Sequence, residues 1–263
     1  MAQGTPRRDP FKVLLFFLGL LSSCSSLPKR ENSFSSTDPD QTLKEICALG
    51  GEFTQAEGEL WMKAKSAQTS GQFTGVFRAT RGKKVVLDVV NPFGGTEAQL
   101  TLEGGRYTVR GGSNSKSAKG RVLQAGETQW GGIPLEWASA LLSGSFPCPN
   151  MGQSYQVRWA EAGVGEQPKL EVSYRSSGLL ASEEVFRYSV RIRSQKAWAE
   201  ALQWERKGPF AQAVQFEFSN PHPEWSVPQK WTAVSSQGEV LVKWKKVELK
   251  KSAPSEQTTE DQK

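Results

Sequence analysis

The clearest pattern in the chain lies in residues 85–102, which read VVLDVVNPFGGTEAQLTL. Apolar and polar side chains alternate on both sides of a short connection that contains proline and glycine. This period-two alternation around a turn predicts a β-hairpin. The apolar positions that would share one face of the hairpin are Val85, Leu87, Val89, Ala98, Leu100 and Leu102.

The tip of this hairpin carries a large apolar ring, Phe93, between Pro92 and Gly94. Turns of this kind usually hold Asn, Gly or Ser, so a phenylalanine there needs an explanation. In one interpretation the ring folds back and covers one end of the core. In the other it stays exposed and enters an apolar phase, since the neighbouring glycines offer little cover and the proline stiffens the approach. The residues themselves leave both interpretations open.

Alternation elsewhere predicts about ten strands in total. Residues 197–204 form either a short helix or the start of a strand, and residues 111–120 form a polar loop. Beyond the hairpin, the segments that carry the strand pattern are 60–65, 73–79, 106–110, 157–159, 170–174, 186–192, 214–218 and 240–244.

Two segments show helical spacing instead. Residues 41–49 (QTLKEICAL) place three apolar side chains on one stripe. Residues 132–144 form a second helix, with Pro134 in its first turn and Gly144 at its C-terminal stop. An antiparallel sheet with one apolar face must cover that face. The chain is therefore predicted to be mainly β, a curved antiparallel sheet or open barrel with a lid of a few helices.

The first 23 residues have the pattern of a secretory signal peptide. A basic stretch precedes an apolar run of about nine residues, which is too short to span a bilayer. The run ends Leu-Ser-Ser-Cys at Cys24 and resembles the bacterial lipobox, whose cysteine is acylated. Because the next residue, Ser25, is not the aspartate of an inner-membrane retention signal, we expect a lipid anchor at the periplasmic face of the outer membrane.

Composition divides the remainder of the chain. Residues 24–40 are polar and form a tether after the lipidated cysteine, residues 41–251 form the folded domain, and residues 252–263 form a disordered tail. The net charge is +6, but the only basic cluster is at residues 243–251, so nucleic-acid binding is not expected. That cluster is interpreted as a solvated strand face, although a positive surface also suits an acidic partner or anionic lipid.

The chemistry of catalysis is poorly represented. One histidine, His222, does not provide a catalytic triad or a multi-histidine metal site, and no nucleophile elbow or phosphate-binding loop occurs. We therefore expect neither an enzyme nor a cofactor. Cys47 and Cys148 remain after Cys24, and in an oxidising periplasm they either form a disulfide or stay as two buried thiols.

Three segments together resemble the outer-membrane lipoprotein receptor family LolB. They read VVNPFGGTEAQL at the hairpin, GGIPLEWASALLSG at the second helix and WSVPQKWTAVSSQGEVLVKWKKVEL near the end. The resemblance extends over about residues 57–149 and 224–249. It is poor over residues 150–213, where this chain is longer than the family pattern.

The resemblance implies an open half-barrel that accepts acylated lipoproteins from a periplasmic LolA-like carrier and inserts them into the outer membrane. It implies a monomer, with the loop of Pro92, Phe93 and Gly94 as the inserting element, because an apolar residue protrudes there in the family. Acyl chains would lie in a hydrophobic cavity. Its candidate lining residues are Phe73, Phe77, Leu87, Leu100, Leu135 and Leu141.

Two alternatives stay open. A protein of the same fold could bind or sense another envelope lipid, because one fold serves several functions. A structural lipoprotein could have a fully packed barrel that holds no ligand, in which case the proposed lining residues are ordinary core.

Overall fold

The computed structural model describes residues 38–49, 51, 53–67, 70–111, 118–121, 129–130, 133–160, 167–175, 182–193, 196–208, 211–224 and 226–251. The predicted signal peptide, Cys24 and the predicted tail lie outside these residues. Within the described part of the chain, no helix is both long and apolar enough to cross a membrane.

Two α-helices are present among the described residues, α1 (Pro39–Ala48) and α2 (Leu135–Leu142). Helix α1 begins two residues earlier than predicted because Asp38 caps it, its carboxylate accepting a first-turn backbone N–H at 3.0 Å. Helix α2 starts just after Pro134, which takes the N-cap position and not the first turn. Gly144, with φ of +73°, provides the predicted C-terminal stop, since this left-handed conformation suits glycine.

The strands alternate with short turns along the rest of the described chain. In chain order they are β1 (Phe53–Ser66), β2 (Ser70–Thr80), β3 (Lys84–Val90), β4 (Thr96–Glu103), β5 (Arg106–Gly111), β6 (Ala118–Arg121), β7 (Gln129–Trp130), β8 (Ile133–Pro134), β9 (Gln156–Ala160), β10 (Lys169–Arg175), β11 (Glu183–Arg193), β12 (Lys196–Lys207), β13 (Gln212–Pro221), β14 (Pro228–Ser235) and β15 (Gly238–Lys251).

Thirteen of these strands form one sheet in the order β6-β5-β4-β3-β2-β1-β15-β14-β13-β12-β11-β10-β9. Every neighbouring pair in this order is antiparallel. Two meanders, β1–β6 and β9–β15, therefore meet at the ladder between β1 and β15. Strands β7 and β8 pair separately, immediately before α2. The prediction of a mainly β fold, an antiparallel sheet accompanied by short helices, is confirmed.

One face of the sheet carries the core, which we call the inner face, and the other, outer face is mostly polar. Helix α1 lies against β9 and β12. On α2, the Trp137 ring packs edge-on against Phe186 and Trp204, with centroids 5.7 and 5.8 Å apart. Just after α2, the carbonyl of Pro147 accepts a hydrogen bond from the buried Tyr188 hydroxyl at 2.8 Å. The helices thus cover the inner face on the side of β9–β12.

Two sequence predictions about strands need correction, and one open choice is settled. The loop predicted at residues 111–120 is interrupted by β6, which pairs with β5 at the edge of the sheet. Of the two alternatives for residues 197–204, the strand is correct, because these residues belong to β12. The estimate of about ten strands is too low. It misses β6, β7, β8 and β14, since β7 and β8 have two residues each and β6 lacks a long apolar alternation.

Candidate functional site

The ring of Phe93 stands in solvent at the tip of the β3–β4 hairpin, with 97% of the residue's surface exposed. The loop beneath it is well defined by Asn91, whose side-chain oxygen accepts hydrogen bonds from the backbone N–H groups of Phe93 (3.0 Å) and Gly95 (2.9 Å). Gly94 takes φ of +84°, which a residue with a side chain rarely adopts. The interpretation of Phe93 as a core plug is wrong, and its exposure is confirmed. Its role in a membrane stays a prediction.

Other apolar surface is exposed on the inner face of the same half of the sheet. One cross-strand row runs Phe77, Leu87, Leu100 and Val109 on β2 to β5. Exposure increases along this row, from 0% at Phe77 to 36% at Val109. At the hairpin end of β2, Phe73 is 38% exposed. The inner face is therefore well covered near the centre of the sheet and partly open towards β5.

The six candidate cavity residues fall into two groups. Phe77 and Leu141 are completely inaccessible, and Leu87 and Leu135 are nearly so. Phe73 is exposed and Leu100 is half-buried. In this conformation the four buried side chains pack in the core, whereas Phe73 and Leu100 present apolar surface to solvent. Their role as an acyl-chain lining stays a prediction, and it requires the packed residues to separate.

Two indole groups in the core have a polar atom without a hydrogen bond. The Nε1 atoms of Trp137 and Trp244 are buried and have no partner among the described residues. Trp244 stacks on Phe77 with ring centroids 5.3 Å apart. Burying an N–H group without a hydrogen bond destabilises the folded state by about 1–3 kcal/mol. An acceptor placed beside either indole would therefore stabilise the core.

Cys47 and Cys148 form a disulfide, with their Cα atoms 6.0 Å apart. The bond ties α1 to the segment that follows α2. Both helices that cover the inner face are therefore joined covalently. The sequence had left the choice between a disulfide and two thiols open, and the structure selects the disulfide.

A polar depression of about 710 Å³ lies on the outer face, across β1 to β5. Its charges are mostly matched, because Lys84 pairs with Glu103 at 3.0 Å and Arg78 with Asp88 at 3.4 Å. Surface ion pairs of this kind contribute little to stability or chemistry. Because it lies on the face opposite the exposed apolar side chains, we do not assign it to the predicted acyl-chain site.

Two titratable side chains elsewhere, Glu184 and His222, form hydrogen bonds within the fold. The carboxylate of Glu184 is buried and accepts hydrogen bonds from Trp204 Nε1 at 3.0 Å and Arg206 Nε at 2.9 Å. His222 accepts a backbone N–H through Nδ1 at 3.3 Å, and partial burial lowers its pKa. Across the described ranges, His, Cys, Asp and Glu side chains form no group of three that could hold a metal ion.

Comparison with known proteins supports the fold but does not assign a family. The sequence matches no family profile and no curated protein. A structure described as a putative outer membrane lipoprotein-sorting protein domain from Vibrio parahaemolyticus aligns with a TM-score of 0.55 at 8% identity, covering 83% of this chain and 96% of that one. A DUF1329 family protein from Desulfovibrio piger aligns with a TM-score of 0.55 at 10% identity, covering 81% and 94%.

A third structure, a LolA superfamily protein from Nitrosomonas europaea, aligns with a TM-score of 0.43 at 9% identity, covering 83% of this chain and 96% of that one. This score is too low to carry an argument. The Vibrio and Desulfovibrio structures show that the chain shares their fold. At such low identity they show the fold alone.

Proposed function

We propose that this chain is a lipid-anchored receptor of the outer membrane, which accepts acylated lipoproteins from a soluble periplasmic carrier and inserts them into the bilayer. The observation that carries the proposal is the exposure of Phe93, 97% on a hydrogen-bonded hairpin tip. It occurs on a fold shared with a lipoprotein-sorting domain. A phenylalanine ring gains free energy when it passes from water into an apolar phase, so an exposed ring at a hairpin tip suits a bilayer.

The energetics of the tip fit a delivery step better than an anchoring step. Burying a phenylalanine side chain contributes about 1.5–3 kcal/mol, whereas one acyl chain of roughly sixteen carbons contributes on the order of ten. The ring alone therefore holds the protein only transiently at a membrane. It is sufficient to orient the end of the sheet towards lipid when another group provides the attachment.

That attachment would come from Cys24, which ends the predicted signal peptide and lies outside the described residues. Acyl chains on this cysteine would keep the domain at the periplasmic face of the outer membrane. The carrier would then need to bring only the cargo. No cofactor takes part, because transfer runs towards the site where the acyl chains are buried best.

Cargo acyl chains would first meet the accessible apolar side chains on the inner face, Phe73 and Leu100. Deeper entry requires side chains such as Phe77 and Leu141, both completely buried, to become accessible. Non-directional apolar contact suits cargo whose protein part varies, since acyl chains are the common element. A buried indole N–H, such as that of Trp244, would gain a partner from a carbonyl of the acylated cargo.

The test compares Phe93→Glu with Phe93→Leu, which keeps an apolar tip. Because the position is exposed, both variants should unfold within about 0.5 kcal/mol of the wild type. Phe93→Glu should accept a radiolabelled lipoprotein from the carrier but fail to release it into liposomes, while Phe93→Leu should deliver it. If Phe93→Glu delivers cargo normally, the insertion role is lost. If neither variant nor wild type takes cargo from the carrier, the receptor function itself is lost.

One observation favours a second candidate, a structural lipoprotein without a ligand. Four of the six proposed lining residues pack in the core. Binding of a fluorescent fatty acid separates the two functions. Saturable binding that displaces with palmitate supports an acyl-chain site, and its absence in the full-length wild type supports the packed structural protein.

A further inference from the structure

Several lysines of β1 and β15 are exposed and, in the described part of the chain, form no ion pair, and three of them lie towards the hairpin end of the sheet: Lys63, Lys65 and Lys243. Their neighbours on the same two strands differ. Lys246 pairs with Glu59 at 3.3 Å, and Lys250 pairs with Glu57. The basic cluster near the end of the chain is thus divided into a neutralised part and a part that keeps its charge.

The strand register places the unpaired lysines at the hairpin end of the sheet. Lys243 faces Trp61, which faces Thr74 on β2, and Thr74 faces Val90 at the end of β3. This row lies next to the loop that carries Phe93. Lys63 and Lys65 follow Trp61 along β1 in the direction of the same end.

Orientation follows from the alternation of burial. On β1, Lys63 and Lys65 are exposed, whereas Met62 between Trp61 and Lys63 is buried. On β15, Lys243 lies between two buried residues, Val242 and Trp244. The three ammonium groups therefore project from the outer face, beside the exposed apolar tip and away from the core.

The local charge balance is positive. Within β1–β4 and β14–β15, the acidic residues at this end are Glu239, opposite Lys65, and Glu97, beside the hairpin. Neither forms an ion pair within 4.0 Å of a described basic group. A further lysine, Lys230, lies opposite Lys243 on β14.

We propose that Lys63, Lys65 and Lys243 bind the phosphate groups of anionic phospholipids while Phe93 enters the bilayer. This inference rests on the proposed function and adds the lipid class that the protein's membrane-facing end recognises. A lysine stem can lie along apolar surface while its ammonium stays among the headgroups. An apolar anchor with basic side chains beside it fits a membrane interface, whereas an acidic protein surface would not need the protruding ring.

The test measures partition of the cargo-free chain of residues 24–263 onto vesicles, with Cys24→Ala in every sample, so that neither the predicted signal peptide nor the predicted lipid anchor contributes to binding. Pure phosphatidylcholine vesicles are compared with vesicles that also contain phosphatidylglycerol. The triple variant Lys63→Glu/Lys65→Glu/Lys243→Glu should lose on the order of 100-fold in binding to the anionic vesicles, and the wild-type preference for them should fall as salt is raised.

The matched control carries Lys83→Glu, Arg106→Glu and Lys196→Glu. These residues are exposed and lie at turns on the opposite end of the sheet, and the control changes net charge equally. It should keep most of the anionic preference. Equal loss in both triple variants would reduce the effect to net charge and overturn the proposal.

Two further outcomes also overturn it. If wild type shows no preference for anionic vesicles, the lysines do not bind the phosphate groups of anionic phospholipids. If the Lys63/Lys65/Lys243 variant binds vesicles normally but no longer accepts cargo from the carrier, the surface belongs to an acidic protein partner. Because vesicle binding is measured without cargo, failure here is separate from failure of cargo delivery by the Phe93 variants.

Discussion

Removing the disulfide should destabilise the domain by an amount set mainly by the loop it closes. Cys47 and Cys148 are separated by 101 residues. In the chain-entropy description, a loop of about 100 residues stabilises the folded state by about 4.7 kcal/mol by restricting the unfolded chain. Cys47→Ala/Cys148→Ala should therefore lose up to about 4.7 kcal/mol in the free energy of unfolding.

The native contacts of α1 argue that the loss comes largely from the unfolded state. Besides Cys47, α1 contributes Leu43 and Ile46 to the core, both completely buried. The helix should remain docked in the double variant at neutral pH and low denaturant. Its far-ultraviolet circular dichroism should then equal that of the wild type.

Urea unfolding followed by tryptophan fluorescence measures the difference, since the chain contains nine tryptophans. The variant's midpoint should fall, and its m-value should rise because the unfolded chain without a cross-link exposes more surface. Reducing agent should lower the stability of wild type and leave the variant unchanged. A loss below about 1 kcal/mol with an unchanged m-value would refute the entropic reasoning.

Two carboxylates provide the remaining predictions. Glu184→Gln should lower the free energy of unfolding by about 1–3 kcal/mol, because it weakens a buried hydrogen-bonded pair with Arg206. Its control, Glu183→Gln, changes a more exposed carboxylate and should lower it by less than about 1 kcal/mol in the same denaturation assay. Hydrogen bonds from the neighbouring arginines, Arg158 first, lower the pKa of Glu171 from its ordinary 4.5. The stability that Glu171 contributes is therefore present above about pH 4.5 and is lost as the pH falls through the lowered pKa. Thermal unfolding of Glu171→Gln should accordingly be less sensitive to pH below 4.5 than that of wild type, and an identical acid dependence would contradict this.

The regular strands and both helices were predictable because their burial follows the expected periods. In β13, for example, Val214, Phe216 and Phe218 are buried while the intervening residues are exposed. Strand β12 was ambiguous for a physical reason. Three consecutive residues of this strand are all buried: Ala197, Trp198 and Ala199. They lie next to a register shift between Ser189 and Val190 on β11. The alternation of buried and exposed residues is therefore interrupted there, which is why a helix was considered.

The site depends on information that periodicity does not carry. Both interpretations of Phe93 fitted the residues, and the outcome follows from how Asn91 holds the loop. The basic cluster could be recognised from the sequence, but the sequence could not show which of its lysines form ion pairs. Which lysines meet an acid depends on the register of β15 against β1, strands separated by most of the chain.

That same ladder has a consequence for the order in which the parts of the protein fold. Strands β1 and β15 are the first and last strands of the sheet in chain order, yet they are neighbours over 14 residues each. Each meander can form from local hairpins, but the join between them must wait until β15 has emerged. Closing such a distant pair is slow in comparison with hairpin formation. Until that pairing forms, each half exposes an unpaired edge strand, which is open to pairing with a strand of another chain.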